Sequence, residues 1–296
     1  MAQKIVASIL SWNPDVGTVR RSLTELKRQV DHVVICDNNS RPELKKELED
    51  LGREFSGFIT FVWNKENVGN AGGLNCGVKA ALDENAYWVM PIDDDSVPYP
   101  NMVATMLAAY NMLSPNEQDG VGRVAPNYTT AKGLAFPENG DPFISDGAIS
   151  SGEIVKAELY KKIGLYQEDL FVDCVDSEFS HRAFRAGARS LIVPKAVLFH
   201  QAGEPIIRKF LWITAAVPNY PPSRYYYIAR NNAYLYIRHF NEYFLHGANK
   251  SSKIWVFLIP RYLIKAILFE DRKAAKIRMV MRGTWDGLRG KLGKLK

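Results

Sequence analysis

Tyr87-Trp88-Val89-Met90-Pro91-Ile92-Asp93-Asp94-Asp95-Ser96 is an apolar run that stops abruptly in three carboxylates. Read as a strand, it crowds like charges at a half-buried end, where they repel one another and lose solvation. Oxygen ligands on adjacent residues suit a hard divalent ion, Mg2+ or Mn2+, that keeps coordination sites open for the phosphate oxygens of a substrate. A solvated acidic turn is the competing reading of three acids in a row. The elements around the run weigh against it.

Upstream, strand and helix patterns alternate. Lys4 to Ser11 is β-rich and apolar, and Val16, Val19, Leu23, Leu26 and Val30 follow at helical spacing. His32 to Cys36 repeats the strand pattern and ends at Asp37-Asn38-Asn39-Ser40, after which Pro42 opens a helix through Leu51. Ile59 to Trp63 is a third strand. Asn67-Val68-Gly69-Asn70-Ala71-Gly72-Gly73 reads as a glycine-rich turn, capped by Asn70, that enters a helix running to Leu82. Tyr87 to Ile92 is the fourth strand. This alternation predicts an α/β fold with a mostly parallel central sheet flanked by helices. Ligands of such sheets collect at the carboxyl ends of the strands, where Asp37, the glycine-rich turn and Asp93 to Asp95 all fall.

Several classes drop out. A dinucleotide fold places G-x-G-x-x-G directly after its first strand, and this chain has Ser11-Trp12-Asn13-Pro14-Asp15 there. No G-x-x-x-x-G-K-[ST] phosphate loop is present either. The 296 residues, with no low-complexity tract, predict one large domain or a domain with an appendage. Cys36, Cys76 and Cys174 are scattered and lack C-x-x-C spacing, which argues against a disulfide framework or zinc site and fits a reducing cytosol. The run Ile5 to Trp12 is too short for a signal-peptide core, and no stretch approaches the ~18 apolar residues of a spanning helix.

Charge is segregated. Residues 250–296 hold 13 Lys and Arg against three Asp and Glu, a net of +10 within a whole-chain +6, so residues 1–249 sum to −4. The same tail carries Ile254-Trp255-Val256-Phe257-Leu258-Ile259, Tyr262-Leu263-Ile264 and Ala266-Ile267-Leu268-Phe269, interrupted by Arg261 and Lys265. Large apolar side chains interleaved with cations suit a segment lying on an anionic membrane. Packing on the domain or on a second copy is an alternative. Nucleic acid is disfavoured, because no recognisable nucleic-acid module is present. The charge step divides the chain into a domain over 1–245 and a basic, amphipathic helical C-terminal extension over 246–296.

Taken together, these motifs resemble the family 2 glycosyltransferases and their GT-A fold over roughly residues 3–245. Asp37-Asn38-Asn39-Ser40 resembles the family's acidic turn, which implies that Asp37 contacts the nucleobase. Asn67 to Gly73 with Asn75 is similar to the N-x-G-x-A-G-G-x-N signature of the rhamnosyl- and galactofuranosyltransferase branches. The resemblance therefore places Asn67, Gly69, Gly72, Gly73 and Asn75 with the donor. Asp93-Asp94-Asp95 occupies the D-x-D position, which implies Asp93 and Asp94 at the sugar nucleotide and Asp93 and Asp95 on Mn2+ or Mg2+. Phe171-Val172-Asp173-Cys174-Val175-Asp176-Ser177-Glu178-Phe179 resembles the motif that carries the base, with Asp176 first and Glu178 in reserve. His200 in His200-Gln201-Ala202-Gly203 resembles a late histidine that completes the metal shell, and Arg230 in Tyr226-Tyr227-Ile228-Ala229-Arg230-Asn231-Asn232 falls in an aromatic-Arg-Asn segment where it pairs with donor phosphate.

The activity implied is inverting, metal-dependent transfer from a nucleotide-diphosphate sugar, dTDP-L-rhamnose or UDP-galactofuranose, to a glycan or polyprenyl-linked acceptor. The expected setting is bacterial polysaccharide synthesis on the cytoplasmic face of the membrane. Two alternatives use the same acids: a nucleotidyltransferase, which should show a basic glycine-rich loop after the first strand, and a noncatalytic sugar-nucleotide or glycan-binding subunit, which would tolerate loss of Asp176.

Overall fold

A computed structural model of the protein describes residues 3–130, 133–200, 206–210, 212–217, 219–245, 264 and 267–295. Most of the apolar tail segment from Ile254, and Gln201-Ala202-Gly203 after His200, lie outside the described residues. The chain forms two compact units, residues 1–167 with 176–202, and residues 168–175 with 203–296.

The first unit alternates as its sequence pattern predicts: β1 (Ile5–Ser11), α1 (Val16–Leu26), β2 (His32–Asp37), α2 (Pro42–Glu54), β3 (Ile59–Trp63), α3 (Gly69–Asp83) and β4 (Trp88–Asp93). It continues with β5 (Ser96–Pro98), α4 (Met102–Asn111), α5 (Pro115–Gly120), β6 (Val121–Thr130), β7 (Gly133–Leu134), β8 (Phe143–Ser145), β9 (Ile154–Lys156) and α6 (Ala157–Ile163). It ends with α7 (Val175–Arg185), whose first residue lies in the other unit, and β10 (Arg189–His200). The sheet runs β3-β2-β1-β4-β9-β6-β10-β5, with β7 on β6 and β8 on β10. Its long ladders, β1–β2, β1–β4, β2–β3 and β6–β10, are parallel, and the short ones, from β9, β5, β7 and β8, are antiparallel.

The core follows from the helical spacing. Val19, Leu23 and Leu26 of α1 are fully buried with Val33 and Ile35 of β2 and with Trp88, Met90 and Ile92 of β4. Asp15 starts α1 by accepting from Gly17 N–H at 3.0 Å, an N-cap bond that satisfies an otherwise orphaned donor.

One element differs from the sequence reading. Asn67 to Gly73 is not a turn ahead of a helix: α3 begins at Gly69 with Val68 at its cap, so Asn70 lies inside its first turn. Gly69 has φ +83°, a conformation that favours glycine. Farther along, Cβ atoms on Gly73 and Gly77 would overlap Leu10 and Ser8 of β1. Gly73, which looks like a turn residue, is here with Gly77 part of the surface on which α3 packs close to β1.

The second unit contains the hairpin β11 (Ile206–Phe210) and β12 (Ile213–Val217), then α8 (Pro222–Leu245) and α9 (Lys273–Leu288). Gly283 and Gly287 of α9 sit against the α8 backbone, where any Cβ would meet the carbonyl oxygens of Tyr226 and Arg230.

Candidate active site

Strand register sets the positions of the acids. Ser11 pairs with Asp37 across β1–β2, and Leu10 with Asp93 across β1–β4, so both carboxylates end strands that flank β1. β5 starts directly after the acidic run and pairs antiparallel with β10, which sets His200 opposite Ser96. That ladder brings a late imidazole to an early carboxylate cluster.

Asp93, Asp95 and His200 each offer one ligand atom, all within 4.8 Å of one another. His200 Nδ1 lies 2.8 Å from Ser96 Oγ and 3.3 Å from Asp95 Oδ1. The hydrogen bond to Asp95, aided by that residue's charge, holds the imidazole above its usual value against burial. Burial, with Asp95 adding to it, pushes the Asp93 carboxyl up to about 6. Asp94 is pushed up to about 7, again mainly by burial, although Trp12 N–H donates to its Oδ2 at 2.9 Å. Two crowded carboxylates and an imidazole fit a divalent cation, which would relieve their repulsion.

Asp176 is the second residue of α7. Burial raises its carboxyl, opposed by bonds from the Ser150 hydroxyl and backbone and by the charge of Arg123. Arg123 is itself buried, donating to Ser180 Oγ at 2.9 Å and Ser190 Oγ at 2.7 Å, with Glu153 Oε2 3.5 Å away. Glu178, one turn edge from Asp176 in sequence, is committed elsewhere. Arg182 donates to both its oxygens, at 2.6 and 2.8 Å.

At the end of β2, Asp37 is fully buried; its Oδ2 accepts from Ser40 N–H at 3.0 Å, while Oδ1 has no hydrogen-bond partner among the described residues. Asn38 is a hub that the sequence reading left out. Its Oδ1 accepts from Val68 N–H at 3.0 Å and its Nδ2 donates to Gly69 O at 2.9 Å, fixing the start of α3. Asn67 Oδ1 accepts from Gly69 N–H at 2.8 Å. Gly72 and Gly73 are buried in the first turns of α3. Asn75 exchanges two hydrogen bonds, both 2.9 Å, with the backbone of Tyr166.

Arg123, Glu153, Ser150 and Ser151 also escaped the sequence reading. The available signal was a charged residue inside each of two apolar strand patterns, Val121-Gly122-Arg123-Val124 and Glu153-Ile154-Val155, which marks a buried pair.

Arg230 belongs to the second unit and is fully buried. Its guanidinium donates to the carbonyls of Gly293, Asp169 and Leu170. Asn231 Nδ2 adds bonds to the carbonyls of Leu170, Val172 and Asp173 at 3.0, 2.8 and 2.9 Å. Asp173 itself pairs with Arg224 at 3.2 Å.

The sheet and its acidic strand end are those of the GT-A fold. The mannosyltransferase PcManGT from Pyrobaculum calidifontis, in complex with GDP-Man and Mn2+, shares it with a TM-score of 0.56 at 14% identity, over 97% of this chain and 88% of that one. Residues 11–115 match Glycosyl transferase family 2. The chain is 28% identical to the dTDP-rhamnosyl transferase RfbF of Shigella flexneri, over 99% of this chain and 98% of that one. It is 25% identical to the galactofuranosyltransferase GlfT1 of Mycobacterium tuberculosis, over 72% and 75%. These matches support a family 2 glycosyltransferase of the rhamnosyl- and galactofuranosyltransferase-like branch that uses a nucleotide-sugar donor. No helix among the described residues is long and apolar enough to cross a membrane.

Proposed function

We propose that this enzyme is an inverting, divalent-metal-dependent transferase that moves L-rhamnose from dTDP-L-rhamnose to a hydroxyl of a lipid-linked glycan in bacterial polysaccharide synthesis. UDP-galactofuranose is the second donor to test. Rhamnose comes first because the rhamnosyl relative matches along its whole length. The observation that carries the reading is the convergence of Asp93, Asp95 and His200 in the same unit as a half-buried Asp176.

A cation held by Asp93, Asp95 and His200 would supply Lewis-acid neutralisation of the departing diphosphate. Asp37 offers its unpartnered Oδ1 to a ring N–H of a pyrimidine base. The amide end of α3, opened by Gly69 and held by Asn38 and Asn67, suits diphosphate oxygens. Asp176 takes the acceptor's hydroxyl proton while that oxygen bonds to the anomeric carbon and the carbon–oxygen bond pair leaves with the nucleoside diphosphate. A carboxyl whose pKa burial raises above the ordinary value is a stronger base for that task. Glu178, held by Arg182, is left out of the chemistry, and a single displacement inverts the anomeric centre. Asn75 and Arg230 receive structural roles, because their polar atoms serve backbone groups. The basic extension from 246 to 296 brings the enzyme to the cytoplasmic membrane face, where a polyprenyl-linked acceptor is presented.

Thermal shift with dTDP-L-rhamnose and UDP-galactofuranose, each with and without Mn2+, tests the donor and the cation, since ligand binding to the native state raises its melting temperature. A Mn2+-dependent shift with dTDP-L-rhamnose is expected. A shift of equal size without divalent ions, or turnover surviving in Asp176→Asn, overturns the reading.

A further inference from the structure

Helix α9 presents two unlike faces. Gly283 and Gly287 lie against the backbone of α8, Val280 is buried beside Tyr225 and Ala229, and Asp286 accepts from the Tyr226 hydroxyl at 2.8 Å. Contact this close fixes the helix's rotation, so its opposite face is held outward. On that face Met281, Trp285 and Leu288 are 67%, 60% and 47% exposed. Spacings of four and three residues align them in one stripe along two turns. Scattered exposed apolar residues are ordinary, but a Met-Trp-Leu line on one helix face is not.

The stripe's charge surroundings identify its partner. Lys273, Arg278, Arg289 and Lys291 are exposed around it. Asp286 is the one acid among residues 273–295, and it is turned inward on Tyr226. Arg289 also lies over the Trp285 ring, 5.7 Å from its centre, which sets a cation beside the largest apolar group. A protein partner with an apolar groove would not require a helix whose exposed charges are all basic, and a nucleic acid would not require the Met-Trp-Leu line. Apolar bulk bordered by cations is what a helix lying in the headgroup region of an anionic bilayer needs, with aromatic and aliphatic groups among the acyl ends and cations at the phosphates.

We propose that the outward face of α9, centred on Met281, Trp285 and Leu288, docks the enzyme on anionic lipid. This deepens the proposed lipid-linked acceptor, and rests on that reading only for the docking's purpose. It also assigns the contact to a helix other than the Ile254–Phe269 run that the sequence first brings forward.

Co-sedimentation of the full chain with vesicles of phosphatidylcholine alone, or mixed with phosphatidylglycerol, is the test. The full chain is expected to pellet with the mixed vesicles and to be released by salt. A Met281→Ser/Trp285→Ser/Leu288→Ser variant and an Arg278→Gln/Arg289→Gln/Lys291→Gln variant should each lose about tenfold or more in partitioning, since each cation near the surface contributes. Both should keep the wild-type melting temperature and turnover on a soluble acceptor. Asp176→Asn should do the reverse, losing turnover and keeping vesicle binding, so the docking and the chemistry fail separately. Undiminished pelleting of both α9 variants, equal binding to neutral vesicles, or a dimer in solution that the serine variant dissociates would each overturn the assignment.

Discussion

Asp95 Oδ1 and His200 Nδ1 stand 3.3 Å apart, and Ser96 Oγ reaches both, at 3.2 and 2.8 Å. The serine is the register partner of His200 in the β5–β10 ladder, so the backbone pairing and the side-chain triangle fix each other. Groups that orient metal ligands typically change affinity 10–100-fold when removed. Ser96→Ala is therefore expected to weaken Mn2+ binding in the presence of dTDP by about tenfold, and His200→Ala by more. Calorimetric titration with Mn2+ checks both; affinities equal to wild type would remove His200 and Ser96 from the cation site.

Two acids of one helix turn should behave oppositely. Asp176→Asn is expected to lower kcat by about 10²–10⁴ while leaving the donor-induced thermal shift intact, as loss of a general base does. Glu178→Gln should instead act on stability. It strips Arg182 of its bidentate partner, and the expected cost is about 1–3 kcal/mol in urea denaturation with only a minor change in kcat. If Glu178→Gln abolished turnover in a protein of normal stability, the base would have been misassigned.

The contrast between those two residues also shows what a sequence can and cannot disclose. The strand ends were legible, because period-two and 3.6-residue patterns report burial directly, and Asp93, Asp95 and His200 follow from motifs whose order the sheet preserves. Arg230 and Glu178 were not, because a charged side chain's partner depends on which distant carbonyl or guanidinium packing brings to it. Gly73 reads as a turn residue for a related reason. Missing Cβ atoms signal either a turn or a close helix–strand contact, and only the register of α3 on β1 distinguishes them. Arg123 and Glu153 gave a signal, charge within apolar strands, that a motif search passes over.

Glu153 provides a pH test of the buried network. Burial pushes its carboxyl from the ordinary 4.5 up to about 8, with the Arg123 charge pulling the other way, and neither oxygen has a hydrogen-bond partner among the described residues. A raised folded-state value means that neutral Glu153 favours the fold below 4.5, and that this contribution is lost as pH rises through about 8. Glu153→Gln stays neutral throughout. Its stability relative to wild type is expected to climb by about 2–5 kcal/mol between acid and mildly alkaline pH. Urea denaturation across that range measures it, and parallel profiles for the two proteins would show that the carboxyl stays ionised.

The segment ahead of Asp176 stores strain that two side chains hold in place. Phe171, Asp173 and Cys174 have φ of 63°, 64° and 65°, a region that costs a non-glycine residue about 1–2 kcal/mol. Asn231 Nδ2 serves three carbonyls of this segment. Asn231→Ala is expected to cost about 1–3 kcal/mol and to speed amide exchange at residues 172–174, because the Val172 and Asp173 carbonyls lose the Asn231 amide. Cys174→Gly should move the other way, by up to about 1 kcal/mol, since glycine adopts that backbone without strain. A destabilised Cys174→Gly would mean that its contact with Asn232, 3.4 Å away, outweighs the backbone term.

Helix α3 approaches β1 so closely that two glycines should differ in their tolerance of alanine. A Cβ on Gly77 would overlap Ser8 at both Oγ and Cβ, whereas one on Gly73 would meet the branched end of Leu10. Leucine has rotamers to move into; serine's Cβ is fixed to the strand. Gly77→Ala is expected to cost about 1–3 kcal/mol and Gly73→Ala less, as overpacking against fixed atoms does. Ser8→Gly removes both overlapping atoms, leaving only the Cys36 sulfur, 3.1 Å from the added Cβ, beside it. Gly77→Ala should therefore be rescued by Ser8→Gly but not by Leu10→Val, a coupling that a double-mutant cycle in urea resolves. Additive effects of Gly77→Ala and Ser8→Gly would show that the helix shifts away from the strand to accept the new methyl.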